Sequence, residues 1–259
     1  HYYRMAADHG DEKACYEISD IYSDFGDVEH LEKAIEWIDK ANGYPRQDRV
    51  KWQLLAKLAV EKLVEQGYSR DDGQLYVKAA MEISDEDKKL DLLETGSMKN
   101  KNRAEAAFAA GLIYRKKEKY GFAAEYMLKA VRDGDKKIQD NAIPCLYDLG
   151  KSLGCDNPDY AYDCLYYVGK NGGQNYRDKA ADELVNIGYE FAQNRDDYDT
   201  GEKFFIAAAR FGNKIAQDNL GILKRNRETK IKNKEIDEYN ARITEEIMEE
   251  WYEEHEKEW

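Results

Sequence analysis

Apolar residues recur along the chain with the spacing of amphipathic helices, most clearly from Asn102 to Gly134. That stretch reads as two helices joined by a short turn. The first carries Ala106, Ala110, Gly111 and Tyr114, and the second carries Ala123, Tyr126, Met127, Lys129 and Ala130 before Gly134. Degraded copies of the pair recur along most of the sequence. Aligned on the first bulky residue of the second helix, the anchors are Tyr2, Trp37, Leu75, Tyr126, Cys164 and Phe204, spaced 35, 38, 51, 38 and 40 residues apart. The following residues, Tyr3, Ile38, Tyr76, Met127, Leu165 and Phe205, are all apolar or aromatic. Four past the anchor come Ala6, Ala41, Ala79, Ala130, Val168 and Ala208. A bulky residue followed one turn later by a small one lets a neighbouring helix approach closely on that face. Gly10, Gly134, Gly172 and Gly212 stand eight past four of the anchors, where a left-handed residue would end the helix.

The first helix of each pair has a matching signature, a small residue after an apolar one and three before another. Ile18, Ser19 and Tyr22 fit it, as do Ala110, Gly111 and Tyr114, then Leu149, Gly150 and Leu153, then Ile187, Gly188 and Phe191. Leu220 and Gly221 start a last copy, with Lys224 where an aromatic is expected. These motifs resemble the Sel1-like repeat, a relative of the tetratricopeptide repeat with a looser repeat length. AIEWIDKANG, AAEYMLKAVRDG and LYVKAAMEI show its second half, and ACYEISDIY and AEAAFAAGLIY its first. The resemblance covers Tyr2 to Gly221. It implies an all-α fold, a right-handed α-α superhelix (solenoid) of about five to six antiparallel helix pairs with a C-terminal capping helix.

The departures from the repeat are local. Residues 85–100 form an irregular insertion, expected as a short helix and loop. The helix expected from Asp48 to Gln66 lacks the small-residue signature, Leu58 and Ala59 being its nearest equivalent. Glycine is also scarce in the loops between helices. Residues 1–221 are thus the expected repeat region, and 222–259 a capping helix with an acidic tail. In that last segment Ile236, Ile243, Ile247 and Trp251 form one stripe at near-helical spacing. Its bases lie early and its acids late, which opposes the helix dipole. Its first half is expected to cover the last repeat, and its last dozen residues to fray or dock on a partner.

Composition narrows the function classes. Of 259 residues, 42% are hydrophobic and 36% charged, enough for a core under a highly charged surface, and only Pro45, Pro144 and Pro158 oppose helix formation. A net charge of −13 argues against nucleic-acid binding, which needs a basic face to release counterions. No apolar run approaches the roughly 18 residues of a membrane span. The opening HYYRMAADHG resembles the middle of a helix, so the numbering is expected to begin inside a longer protein. A cytoplasmic location is the expectation, with a secreted or periplasmic one left open by that truncation.

Chemistry is hard to find. Cys15, Cys145, Cys155 and Cys164 include no CxxC pair and read as buried reduced thiols, with a disulfide between two of the last three as the alternative. The histidines, at 1, 9, 30 and 255, have no zinc-site spacing. Gly150-Lys151-Ser152 has the end of a phosphate-binding loop, but the glycine required five residues earlier is Cys145, and Gly150 already fits the repeat. Glu253, Glu254 and His255 could contact a metal but read as a solvated face. No catalytic residue, cofactor or metal site is expected, and the protein is read as not an enzyme.

On the first helices, the stripe beside the packing positions would face an inner curve, the surface that holds peptides in related solenoids. Tyr16, Asp20, Phe108, Leu112, Arg115, Tyr147, Lys151 and Tyr189 would line it, although some could instead bury against the preceding pair. Tyrosine and arginine make good interface anchors because they combine contact area with hydrogen bonds. The expected function is therefore a non-catalytic scaffold presenting a curved helical surface to a protein or peptide partner. The alternative is a regulatory or targeting module of an enzyme, for example a cell-wall-associated one, whose catalytic part is absent from this fragment. A monomer is the expected state, with self-association through the acidic terminal helix as a third reading.

Overall fold

A computed structural model describes residues 2–255, with side chains through residue 249. Among the described residues there are 13 α-helices and no strand. They are α1 (Tyr2–Asp8), α2 (Glu12–Phe25), α3 (Val28–Lys40), α4 (Gln47–Glu65), α5 (Gly73–Met81), α6 (Glu86–Ser97), α7 (Arg103–Lys116), α8 (Tyr120–Asp133), α9 (Lys136–Leu153), α10 (Pro158–Asn171), α11 (Gln174–Tyr189), α12 (Tyr198–Arg210) and α13 (Lys214–His255), with a π-helical turn over Glu190–Asn194.

Short polar side chains start most of these helices. An Asp oxygen accepts a backbone N–H three residues on at Asp11, Asp27, Asp85, Asp135 and Asp197, as does Asn213 ahead of α13. Each satisfies a donor that the helix cannot. The chain divides into two compact units, residues 1–153 with 157–164, and residues 154–156 with 165–259. Helix α10 spans the division.

In the first unit each helix packs on its sequence neighbour from α1 to α9. One cluster joins α2, α3 and α4 around Leu31, Ala34 and Ile38. A second joins α4 to α7 around Leu75, Ala79, Leu93 and Ala106. The position four past the repeat anchor is the tightest: Ala41, Ala79, Ala130, Val168 and Ala208 are fully buried, and Ala6 on α1 is half-buried. The anchors vary more. Leu75, Cys164 and Phe204 are fully buried, Trp37 and Tyr126 half-buried, and Tyr2 is 88% exposed on a helix with no buried residue.

The insertion is a helix of 12 residues, α6, followed by a turn at residues 98–100. It packs against both α5 and α7, and α5 also touches α7. A Cβ on Gly96 would sit 2.8 Å from the Tyr76 Cβ and 2.9 Å from the Ala106 Cβ, so α6 is clamped between its neighbours at the one position where a side chain is absent. The long helix α4 does bury Leu58 and Ala59, the two residues nearest to the missing signature.

The left-handed glycines need a correction. Gly10 and Gly212 have positive φ, but Gly172 is not among the positive-φ residues and Gly134 is extended, at φ −84° and ψ 158°. Gly134 is needed for space: a Cβ there would lie 2.5 Å from the Ala130 carbonyl oxygen. Other left-handed residues stand in the turns between helices, among them Gly26, Glu118, Gly154 and Asp196.

In the second unit α11, the π turn, α12 and α13 pack in succession. Phe191, in the π turn, is buried and stacks on Phe204 at 6.1 Å between ring centroids. A Cβ on Gly188 would meet the Phe205 ring at 3.0 Å, and one on Gly111 would meet Met127 at the same distance, so the small residue of the first helix receives the second bulky residue of the next. Gly221 differs: its Cβ would meet only the end of Arg225, at 3.9 Å. The expected boundary at residue 221 falls inside α13, which runs unbroken through it. The side chains of Trp251, Glu253, Glu254 and His255 lie outside the described ones.

Candidate functional site

Helix α7 carries Phe108, Leu112 and Arg115 at spacings of four and three, which places them on one face. Ala104, Ala106, Ala107, Ala110 and Gly111 occupy the buried sector beside it. Leu112 is 41% exposed, and Phe108 and Arg115 are half-buried. Helix α9 touches α7 and presents Asp148 and Lys151, both exposed, with Tyr147 half-buried beside them. The two helices are tied across this face. Arg115 donates through Nη2 to Asp148 Oδ2 at 2.6 Å and through Nη1 to Cys145 Sγ at 3.5 Å. Both partners of the ion pair are more than a third exposed, so it is worth about 0–1 kcal/mol and can exchange for a ligand.

The structure therefore brings Phe108, Leu112, Arg115, Tyr147 and Lys151 onto neighbouring helices. Within the first unit it does not gather Tyr16 and Asp20 with them. Asp20 is exposed on α2, which does not pack on α7 or α9. Tyr16, also on α2, packs against the α2–α4 cluster, its ring 4.8 Å from that of Tyr44. That is the packing role rather than a free binding face. Tyr189, 50% exposed, belongs to the second unit and borders a small crevice with Ile222 and Leu223 of α13. Asp148 was not singled out by the sequence, because one carboxylate among 53 acidic residues carries no signal until its arginine partner is located.

A second polar cluster fastens α6. The Tyr114 hydroxyl donates to Glu94 Oε1, and Tyr126 hydrogen-bonds the same carboxylate. Burial pushes the Tyr114 hydroxyl well above its ordinary pKa, with the hydrogen bond to Glu94 adding to it. Burial, then the charge of Glu94, pushes Tyr126 up to about 12. Lys129 donates to the buried Ser97 hydroxyl at 3.0 Å, and Lys116 and Lys117 pair with Glu86 and Asp87. The two tyrosines hold their protons tightly at neutral pH, which suits a structural clasp rather than proton transfer.

All four cysteines are free thiols. Cys15, Cys145 and Cys164 are buried and Cys155 is half-buried. Burial raises the pKa of Cys15, Cys155 and Cys164, which keeps those thiols protonated. Among the described residues no three His, Cys, Asp or Glu side chains gather as a metal-ligand set, and no helix is long and apolar enough to cross a membrane. A groove of about 830 Å³ lies between Asp196, Tyr198 and α13 and includes none of the predicted residues. No protein-family model matches the chain, and no characterised protein matches it in sequence.

Proposed function

We propose that the chain is a non-catalytic scaffold that binds a peptide or protein along its first helices, and that its helix pairs wind as a right-handed Sel1-like solenoid of about five to six pairs. The observation that carries the reading is the α7–α9 face. It combines an exposed leucine, a half-buried phenylalanine and an exchangeable Arg115–Asp148 pair on adjacent helices. An apolar anchor ringed by charges is the composition of a binding surface. Lys151 and Arg115 would favour an acidic segment in the partner.

Panning a random peptide library on the full chain tests this. Selected peptides should be rich in acidic and aromatic residues. They should lose at least about tenfold in affinity, roughly 1.4 kcal/mol, against Leu112→Asp with Lys151→Glu. Both positions are exposed, so the melting temperature should not move. Peptides that bind both proteins equally would place the binding surface elsewhere.

A further inference from the structure

Helix α13 has two apolar faces, and α12 covers only one. On the first, Ala216 and Leu223 are buried, and Arg227 reaches α12, pairing with Asp199 at 2.7 Å and Glu202 at 3.1 Å. Lys230 pairs with Asp196. From Ile231 to Glu249 every described side chain is exposed except Ile243, which is half-buried. The second face lies in this distal part. Ile236, Tyr239, Ile243 and Ile247 follow at spacings of three, four and four, and Ile236, Tyr239 and Ile247 are 47%, 58% and 60% exposed. At the helical pitch this stripe extends about 17 Å and lies about 150° around the helix from Leu223. It is therefore not a continuation of the seam on α12. A helix of that length is marginal in water without something to pack on.

The charges around the stripe specify what can cover it. It lies wholly within residues 235–249, which carry six acids and one base. Glu235 and Glu246 border it along one side and Asn240 along the other. A second copy of this chain fits poorly. Its own stripe brings the same acids, and its basic stretch, from Lys224 to Lys234, has Ile231 as its one apolar residue. An apolar row at helical spacing, bordered by carboxylates, is complementary to a helix whose apolar row is bordered by lysine or arginine. We infer that the distal part of α13 is a docking surface for a basic amphipathic helix of another protein. The partner's apolar residues pack on Ile236, Tyr239, Ile243 and Ile247, and its bases reach Glu235 and Glu246. The preference is opposite in charge to that of the α7–α9 face. One helix pair buries less than a stable interface requires, roughly 1,200 Å², so the docking is weak and depends on salt.

Fluorescence anisotropy on the full chain, with two labelled synthetic peptides of about 18 residues, tests the proposal. One sets leucines at the spacing of a single helical face with lysines on both sides. The other has the same composition in scrambled order. In about 20 mM salt the ordered peptide should bind with a dissociation constant of about 10 μM, and about 500 mM salt should weaken it several-fold. The scrambled peptide should bind at least about tenfold more weakly. Ile236→Gln with Ile247→Gln should cost the ordered peptide about tenfold, with the melting temperature unchanged because both side chains are already exposed. Glu235→Lys with Glu246→Lys should cost at least as much. Leu112→Asp with Lys151→Glu should leave this binding unchanged, which separates it from the α7–α9 face. No binding of the ordered peptide would overturn the proposal. Equal binding of the two peptides would overturn it by reducing the effect to net charge, and so would full binding by the glutamine variant. A peptide-free protein that doubles its mass in sedimentation equilibrium, and loses that doubling with the two glutamines, would overturn it in favour of a second copy.

Discussion

Two single positions show how closely the repeat depends on the presence or absence of one carbon. At Gly111 a Cβ would press on Met127 at 3.0 Å, whereas at Gly221 it would reach into open space. Both lie inside helices, where glycine costs about 1 kcal/mol relative to alanine. Gly111→Leu should therefore overpack the α7–α8 contact and destabilise by about 1–3 kcal/mol. Gly221→Ala should stabilise by about 1 kcal/mol. Urea denaturation of the two variants beside the parent checks both signs, and a stable Gly111→Leu protein would mean that Met127 has room to move. The pair turns provide a third position. Glu118 holds φ at 57°, the left-handed region that its counterparts Gly26 and Gly154 occupy without strain. Glu118→Gly should raise stability by about 0.5–1 kcal/mol, provided the relief of strain exceeds the entropy added to the unfolded chain. The resemblance to a glycine-rich repeat marked these loops as unusual, but not which residue takes the strained conformation. That depends on how the turn closes, and periodicity is blind to it.

At the scale of helices, legibility followed burial. Positions held by packing on two sides, such as Ala79, Ala130 and Ala208, stand out in the sequence because only small residues fit there. Helix α6 did not, because its apolar residues, Leu90, Leu92 and Leu93, lie among charges that resemble a loop. Much of what holds it is polar and comes from other helices: Tyr114 and Tyr126 on Glu94, and Lys129 on Ser97. Sequence shows the donors and acceptors but not their convergence. The same blindness affected the proposed binding face, where Arg115 was visible and Asp148 was not. The clasp has a consequence in alkali. Tyr126 titrates near 12 in the folded protein and near 10 unfolded, so the folded state keeps the proton longer. Its contribution is fully present below about pH 10 and is lost as pH rises through about 12. Urea titrations at about pH 9 and pH 11.5 should show a smaller alkaline loss of stability in Tyr126→Phe than in the parent. Equal losses would show that this hydroxyl is not held as the structure has it.

For the whole chain, the question is where cooperative packing stops. The repeat pattern fades after Leu220, yet α13 continues to bury side chains for two further turns, through Leu223 and Arg227. Those residues cover α12, and its terminal face would otherwise be open to water, as at the end of any stack of repeats. Beyond Lys230 the helix gives α12 little. The folding unit therefore ends inside a continuous helix, and neither the loss of periodicity nor the helix terminus marks the point. Two truncations locate it. A chain ending at Lys230 keeps Leu223, the Arg227 pairs and the Lys230–Asp196 contact. In dilute solution its stability should match that of the full chain within about 0.5 kcal/mol. A chain ending at Gly221 loses the buried leucine and both basic side chains, which should cost about 2–4 kcal/mol, most of it from the leucine and the apolar surface it covers. Guanidinium unfolding of dilute protein compares the three. If ending at Lys230 proves as costly as ending at Gly221, the distal helix packs back on its own chain, and its apolar stripe is not free to meet another.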